Sequence, residues 1–400
     1  VHERRPTLRT LADGGVIPIA KIMRAGPLEM SPVLIYRDRI LPRSELNFMR
    51  RQYLGFQKLR PIWVGRHIEP SLDTTRFSLG PFLGGGLRAA AFKELGVVPR
   101  FEELRALKAV CVHAQFGRGG ALALPLAEKL GLPLCVTFHG GEFKSAHYRR
   151  FPPALFRRRL ERLKHYASRF ICVSSGVRDR LIDRGFAPNR TVVVPIGVEL
   201  QPPRPPNELG RGIYFVGRLV EMKGATLFVE AARRLRSLGY DEPIVLIGDG
   251  PDAARVTSAA AGIANVKFCG WLTPTEVEGA LRGARMVCIP SIRARSGEVE
   301  GLPSIAVEAM ALGAPVVAST EAGIEGLIED GVSGKLFRSR DVSALAEAIR
   351  ELLDDAAKCR AMASAARRKV EQDYDALAQS RQLEAVLFEA TAGSGAGALS

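Results

Sequence analysis

The chain has 400 residues, 46% of them hydrophobic and 25% charged, a length beyond the size at which one core keeps growing, so two α/β domains are expected. No run approaches the roughly 18–20 apolar residues of a membrane span, which excludes an integral membrane class. The net charge of +15 is lopsided: residues 1–200 hold 34 Lys and Arg against 16 Asp and Glu, and residues 201–400 hold 23 against 26, so the first half reads as a basic domain suited to an anionic acceptor, an anionic membrane surface or nucleic acid.

Residues 1–31 show no period and read as an extension. The first strand is Val33–Tyr36, after which Leu41–Phe48 leads into a helix that Ser44 can cap, with Glu45 in its first turn. A strand at Pro61–Val64 precedes the long irregular stretch Gly65–Pro99, a candidate acceptor surface. Strands at Ala109–Val112 and Leu134–Phe138 run into His113-Ala-Gln-Phe-Gly117 and His139-Gly-Gly141. That places His113 and His139 where parallel strands end and ligands bind. From Lys144 to Arg169 nine basic residues accompany one acid, Glu161, and apolar residues recur at helical spacing. A basic amphipathic helix starting near Pro153 is expected to rest on anionic lipid, the alternative being a core-facing helix with a solvated basic face. Phe170–Val173 and Thr191–Val194 complete the first sheet, and the stiff Gln201-Pro-Pro-Arg-Pro-Pro206 marks the domain boundary.

The second domain opens with a strand at Gly212–Val216 and the loop Gly217-Arg-Leu-Val-Glu-Met-Lys-Gly224. There Arg218 can pair with a phosphate through two bonds and Lys223 adds a point charge. Ile244–Ile247 leads into Gly248-Asp-Gly-Pro-Asp-Ala253, which imitates a dinucleotide fingerprint. The next strand, Asn265–Phe268, ends in Cys-Gly-Trp271 without the acid that an NAD ribose needs, so a dehydrogenase is not expected. A strand at Arg285–Ile289 and a polar loop at Ser291–Glu300 precede a helix of about three turns, with Pro303 at its first position and Gly313 at its C-cap. The amides around Leu302–Ile305 offer a phosphate site. Glu300 and Glu308 flank it, and carboxylates there are best explained as acceptors for hydroxyls on either side of a phosphate, as in a nucleotide-sugar. Asp330-Gly and Gly334 are turn residues, Val342–Leu353 and Ala356–Val370 are helical, and Ala376–Ala390 should pack back on the first domain. Residues 391–400 read as a disordered tail. Cys111, Cys135, Cys172 and Cys288 lie in apolar runs, no C-x-x-C pair occurs and no signal peptide stands at Val1, so buried reduced thiols in a cytoplasmic protein are expected.

The run Glu300-Gly-Leu-Pro-Ser-Ile-Ala-Val-Glu308-Ala-Met-Ala resembles the E-x7-E signature of the retaining glycosyltransferases of family 4, which have the GT-B fold. Val216–Gly224 matches that family's V-G-R-L-x-x-x-K-G, and Gly248-Asp-Gly-Pro251 its G-D-G-P. His113-Ala-Gln-Phe-Gly117 and Thr137-Phe-His-Gly140 are similar to its H-A-H-F-G and T-F-H-G, with Gln115 departing from the second His. Leu41–Phe48 is similar to the P-x-S-E-T-F loop of members that build exopolysaccharides, whereas a plain N-cap with a first-turn acid is an equal reading. Gly14-Gly15 imitates the family's phosphate loop but precedes the first strand.

The resemblance covers residues 32 to about 390 and implies two Rossmann-like domains across a cleft: an acceptor side at 32–200, a linker at 201–209, a donor domain at 210–375 and a returning helix at 376–390. It implies hexosyl transfer with retention from a UDP- or GDP-sugar to a saccharide or lipid-linked acceptor of cell-surface polysaccharide, as in bacterial exopolysaccharide and lipopolysaccharide glycosyltransferases. His139 and Glu300 would face the transferred sugar and Glu308 the ribose, while Gly217, Arg218, Lys223, Gly301, Leu302, Pro303 and Ser304 would bind the donor. Ser44, Glu45 and His113 would lie near the cleft. No metal or other cofactor is expected, no nucleic-acid partner, and a peripheral place on the inner membrane face is. Rival readings are a nucleotide-sugar epimerase of the same fold and a non-enzymatic anion or nucleic-acid binder.

Overall fold

A computed structural model of the chain describes residues 30–40, 49–65, 67–68, 76–79, 91–141, 153–205 and 208–392. The expectations for residues 1–29, for Ser44 and Glu45, and for 393–400 lie outside these. The first half holds strands β1 (Ser31–Tyr36), β2 (Arg39–Ile40), β3 (Leu59–Gly65), β4 (His67–Ile68), β5 (Arg76–Ser78), β6 (Cys111–Gln115), β7 (Leu134–Phe138), β8 (Arg169–Cys172) and β9 (Thr191–Val193). The second half holds β10 (Ile213–Val216), β11 (Ile244–Ile247), β12 (Val266–Phe268), β13 (Met286–Ile289), β14 (Val316–Ser319) and β15 (Lys335–Phe337).

Runs such as Val33-Leu-Ile-Tyr36 and Ile244-Val-Leu-Ile247 are apolar at every position, the pattern of a parallel strand covered on both faces. Both sheets are parallel, with orders β5-β3-β1-β6-β7-β8-β9 and β12-β11-β10-β13-β14-β15, and β2 pairs β4 apart from them. In each, the chain runs outward from a central strand and returns to that strand's other side. The order therefore reverses between β1 and β6 and between β10 and β13, and crevices open at the carboxyl ends there.

Alternation divides each strand between two cores. Leu34, Tyr36, Val112 and Ala114 face a cluster shared with the Gly117–Leu130 helix. Val33, Ile35, Trp63 and Cys111 face the other side, where Leu383, Leu387 and Ala390 of the C-terminal helix Ala376–Ala392 cover them. This helix does pack back on the first domain. Glu384, 6% exposed, accepts from the amides of Gln57, Lys58 and Leu59 at 2.8, 2.6 and 2.7 Å. Ser380 accepts from the Gly55 amide and donates to the Gln52 carbonyl. The chain passes between the halves twice, side by side: Val198 bonds to Tyr374 and Ala376 through its backbone.

Three expectations change in detail. β6 lies two to three residues later than periodicity indicates, because Ala114 and Gln115 are as buried as Val112. The sequence reading has no β15, whose three residues at a sheet edge are too few to show a period. The Ser304–Ala311 helix has about two turns, with Pro303 as its N-cap rather than its first residue. The stiff proline-rich linker is in addition tied to the second domain, where Arg204 donates to the carbonyls of Ala284 and Gly313 at 2.6 and 2.7 Å.

Glu384→Ala would leave three amides, that of Leu59 buried, without this acceptor, so it should destabilise the first domain by about 3 kcal/mol and Glu384→Gln by less. Hydrogen exchange across 376–392 measures it, and unchanged protection there would place the anchor elsewhere.

Candidate functional site

The second-domain half of the site is built from two loops at the β10/β13 reversal. After β10 the chain makes one 3-10 turn at Glu221–Lys223 and leaves through Gly224 in the left-handed region (φ 68°), where a Cβ would stand 1.9 Å from the Pro290 carbonyl oxygen. That approach sets Lys223 beside the loop that follows β13. Its ammonium lies 2.8 Å from Glu300 Oε2, and the Ser291 hydroxyl donates to the same oxygen at 3.1 Å. Glu300 is 9% exposed, so its charge is held by a cation and a hydroxyl rather than by bulk water.

The loop continues directly into the first domain. The carbonyls of Glu300 and Gly301 accept from Arg180 Nη2 at 3.2 Å and from the Ser174 hydroxyl at 2.9 Å. A Cβ on Gly301 would stand 1.7 Å from the His139 carbonyl oxygen, and one on Gly140 (φ 99°) would stand 2.4 Å from the Gly301 Cα. Backbone meets backbone across the cleft, and this brings His139 and Glu300 together.

The Ser304–Ala311 helix starts without a side-chain cap, so its first-turn amides point at the cleft without that partner. Ser304 and Glu308 line a cavity of about 400 Å³ together with Arg51, Trp271, Thr273 and Val277. That is within the size range of small-molecule pockets. Trp271 is 58% exposed and offers an aromatic face. Arg51 reaches across from the first domain, its Nη1 2.7 Å from Glu308 Oε1. Gly217 bonds its amide to Ile247, and Arg218 is exposed on the same loop, its side chain with no hydrogen bond or ion pair among the described residues.

On the first-domain side a chain of polar side chains runs under the cleft. His139 Nε2 lies 2.7 Å from Gln115 Oε1; Gln115 Nε2 donates to the Tyr53 hydroxyl at 2.5 Å and to Gln52 Oε1 at 3.2 Å. The Tyr53 hydroxyl lies 3.0 Å from His113 Nδ1, and His113 Nε2 lies 2.7 Å from the Thr137 hydroxyl. His113 is therefore not a strand-end cleft residue: it sits inside β6, fully buried, where its ring is part of the core. Burial pushes its pKa down to about 3. Burial does the same for His139, to about 3, helped by the charge of Arg37 and by His113. Burial raises the Tyr53 phenol far above its usual value. The chain is neutral throughout.

Residues 200–369 match the family described as glycosyl transferases group 1, and residues 75–202 match glycosyltransferase family 4. The chain is 32% identical over 288 residues, 68% of each chain, to the amylovoran biosynthesis glycosyltransferase AmsK of Erwinia amylovora. This chain belongs to the family 4 glycosyltransferases. It is also 29% identical over 357 residues, 81% of this chain and 85% of the other, to WcaL of Salmonella typhimurium, named for colanic acid biosynthesis. The crystal structure of HepE from Anabaena in complex with UDP and glucose has the same fold, with a TM-score of 0.71 at 18% identity over 90% of this chain and 100% of that one.

Of the residues that the family 4 signature points to, the fold gathers Lys223, Glu300, Gly301 and His139 at one place and Ser304 and Glu308 at the next. Pro303 is buried at the helix start, and Leu302 packs between the cores of both domains. Sequence reasoning missed Arg51, Tyr53, Gln52 and Ser291. Arg51 lies 257 positions from its partner, and nothing local distinguishes it from the other arginines.

The histidines carry a pH signature. A group whose pKa is 6.5 unfolded and about 3 folded leaves stability whole above about pH 6.5 and removes it as pH falls toward 3. Between pH 6.5 and 5, where few carboxylates titrate, His113 should contribute about 1.4 kcal/mol per pH unit. His113→Gln should flatten the slope of urea midpoint against pH in that window, and an unchanged slope would mean that the folded ring is protonated.

Proposed function

We propose that this glycosyltransferase moves a hexose from a UDP- or GDP-sugar to a saccharide or lipid-linked acceptor in cell-surface polysaccharide assembly, with retention. The observation that carries the reading is the placement of the two glutamates on either side of the helix amides. Glu308 opens on the cavity that ends at Trp271, and Glu300 lies at the contact with His139. A nucleoside fits the first, with its ribose hydroxyls on Glu308 and its base against the exposed indole. The transferred sugar fits the second, with hydroxyls donating to Glu300 and meeting His139. Between them the diphosphate meets the amides from Leu302 on.

Arg218 and Lys223 offset the charge that develops on the leaving diphosphate, in the role a divalent cation takes elsewhere, so the reading needs no metal cofactor. Support for the acceptor class comes from AmsK and WcaL, named for amylovoran and colanic acid biosynthesis. A UDP-sugar is the first donor to test, since HepE is described in complex with UDP and with UDP-glucose.

The two glutamates separate in one experiment. Glu308→Gln should weaken the sugar donor and the bare nucleoside diphosphate alike, because both carry the ribose. Glu300→Gln should leave nucleoside diphosphate binding nearly intact and lower acceptor-dependent turnover, with about 1.5–3 kcal/mol at stake for a hydrogen bond to a charged group. Calorimetry with UDP and assay of diphosphate release measure the two effects, and a fully active Glu300→Ala enzyme would remove the reading.

A place on the inner membrane face belongs to the same proposal. Among the described residues no helix is long and apolar enough to cross a membrane. The Pro153–Tyr166 helix forms as the spacing predicts, but its basic face is narrower than the sequence indicates: Arg159 is 4% exposed and Arg162 pairs with Glu128 at 2.6 Å. Arg157 and Arg158 remain exposed. Close to this helix stand two exposed apolar residues, Leu95 and Val97, at 77% and 55%; a Cβ on Gly96 between them would lie 3.7 Å from the Arg159 guanidinium. Basic and apolar groups side by side suit an anionic lipid surface, at roughly 1 kcal/mol per cation. Leu95→Ser with Arg157→Gln and Arg158→Gln should lower binding to phosphatidylglycerol vesicles by on the order of tenfold or more and leave UDP affinity unchanged; wild-type protein that ignores such vesicles at low salt removes this part.

A further inference from the structure

His139 is held by more than its place after β7. Its ring stacks on Phe116 at 4.2 Å between centroids, Phe116 carries the Arg37 guanidinium at 4.3 Å, and Phe116 itself adopts φ 67°. A non-glycine residue in the left-handed region is costly and persists where the surroundings fix it. Among the described residues, His139 Nε2 lies 2.7 Å from Gln115 Oε1.

An amide has a fixed polarity. The Gln115 nitrogen faces the Tyr53 hydroxyl and Gln52 Oε1, and the Gln115 oxygen faces His139. An oxygen that only accepts requires a proton on His139 Nε2. The same logic runs on: Tyr53, accepting from Gln115, gives its own proton to His113 Nδ1, and His113 Nε2–H donates to Thr137. Gln52 is held through its carbonyl by Ser380 of the C-terminal helix.

We propose that Gln115 is a positioning residue that fixes His139 in its Nε2–H tautomer and sets the direction of its ring toward the Glu300–Gly301 loop. Gln115 does not reach the cleft, being 1% exposed, and acts only through His139. The inference rests on the reading of His139 as facing the donor sugar. Among the described residues the charged and titratable groups that act on the His139 ring are Arg37 after β1 and His113 in β6; Tyr53 stands one hydrogen bond further, beyond Gln115, and the Glu300 backbone packs against the neighbouring Gly140. An amide at position 115 adds no charge to that set, which keeps the ring neutral, whereas a carboxylate would favour the imidazolium.

Three variants and two readouts decide it. In the full-length protein at pH 6, nitrogen-15 NMR of the histidine rings, with His139→Asn assigning the signal, should show wild-type His139 as the neutral Nε2–H form. Gln115→Leu should lose that single tautomer and lower kcat by about tenfold with little change in donor KM, because the ring is misplaced and not the donor. Gln115→Glu should move the acid limb of the pH–rate profile upward by a unit or more. Gln115→His, which can accept from one neighbour and donate to the other, should recover activity relative to Gln115→Leu. A wild-type tautomer and pH profile in both Gln115→Leu and Gln115→Glu would overturn the proposal. A fully active His139→Ala would instead remove the role of His139 itself, while the NMR measurement would still decide whether Gln115 fixes the ring.

Discussion

The site depends on a contact at which two domains meet without side chains between them. Gly140 and Gly301 lie so close that a Cβ on Gly140 would overlap the Gly301 backbone and one on Gly301 would overlap the His139 carbonyl, and Gly323 approaches the Glu300 and Gly301 carbonyls. Only glycine permits that approach. It places the carbonyl of His139 against the residue that follows Glu300, so a strand end of one sheet and a loop of the other form a single floor. Ser174 and Arg180 reinforce it by donating to the carbonyls of the same two residues. Rigid placement of this kind is what orientation of a reacting sugar requires.

A second constraint comes from the end of the chain. The helix at 376–392 leaves the second domain and covers the open face of the first sheet, where Glu384 and Ser380 bind the turn at residues 52–59. That turn carries Gln52 and Tyr53, which hold Gln115 and His113. The C-terminal helix is thus coupled to the cleft through a chain of hydrogen-bonded side chains, Ser380 to the Gln52 backbone and Gln52 and Tyr53 to Gln115. In a buried site such bonds are stronger than in water.

The cleft's charges are arranged in pairs. Glu300 meets Lys223 and Glu308 meets Arg51, each pair joining segments far apart in sequence. For a ligand made of a base, a ribose, a diphosphate and a sugar, such pairs supply acceptors for hydroxyls beside cations for phosphate, without leaving a carboxylate unbalanced next to an anion. Arg51 has a further consequence, because it makes the Glu308 end of the second-domain cavity partly a first-domain surface.

The alternation of apolar runs with helical segments determined two parallel sheets, and the Glu300–Glu308 spacing within a strand, loop and helix marked the candidate site, since both depend on residues near one another in the chain. The basic helix at 153–166 and the returning C-terminal helix were legible for the same reason. What the tertiary structure alone decided is which of those residues face ligand. His113 and His139 follow the same kind of strand and read alike, yet burial makes one a core residue and the Gly140–Gly301 contact makes the other part of the cleft. Arg159 reads as surface and is buried, and Arg51 and Tyr53 carry no local mark at all. Their roles arise from contacts across 62 to 257 positions of sequence, where only the packing of the two sheets and the last helix sets the distance.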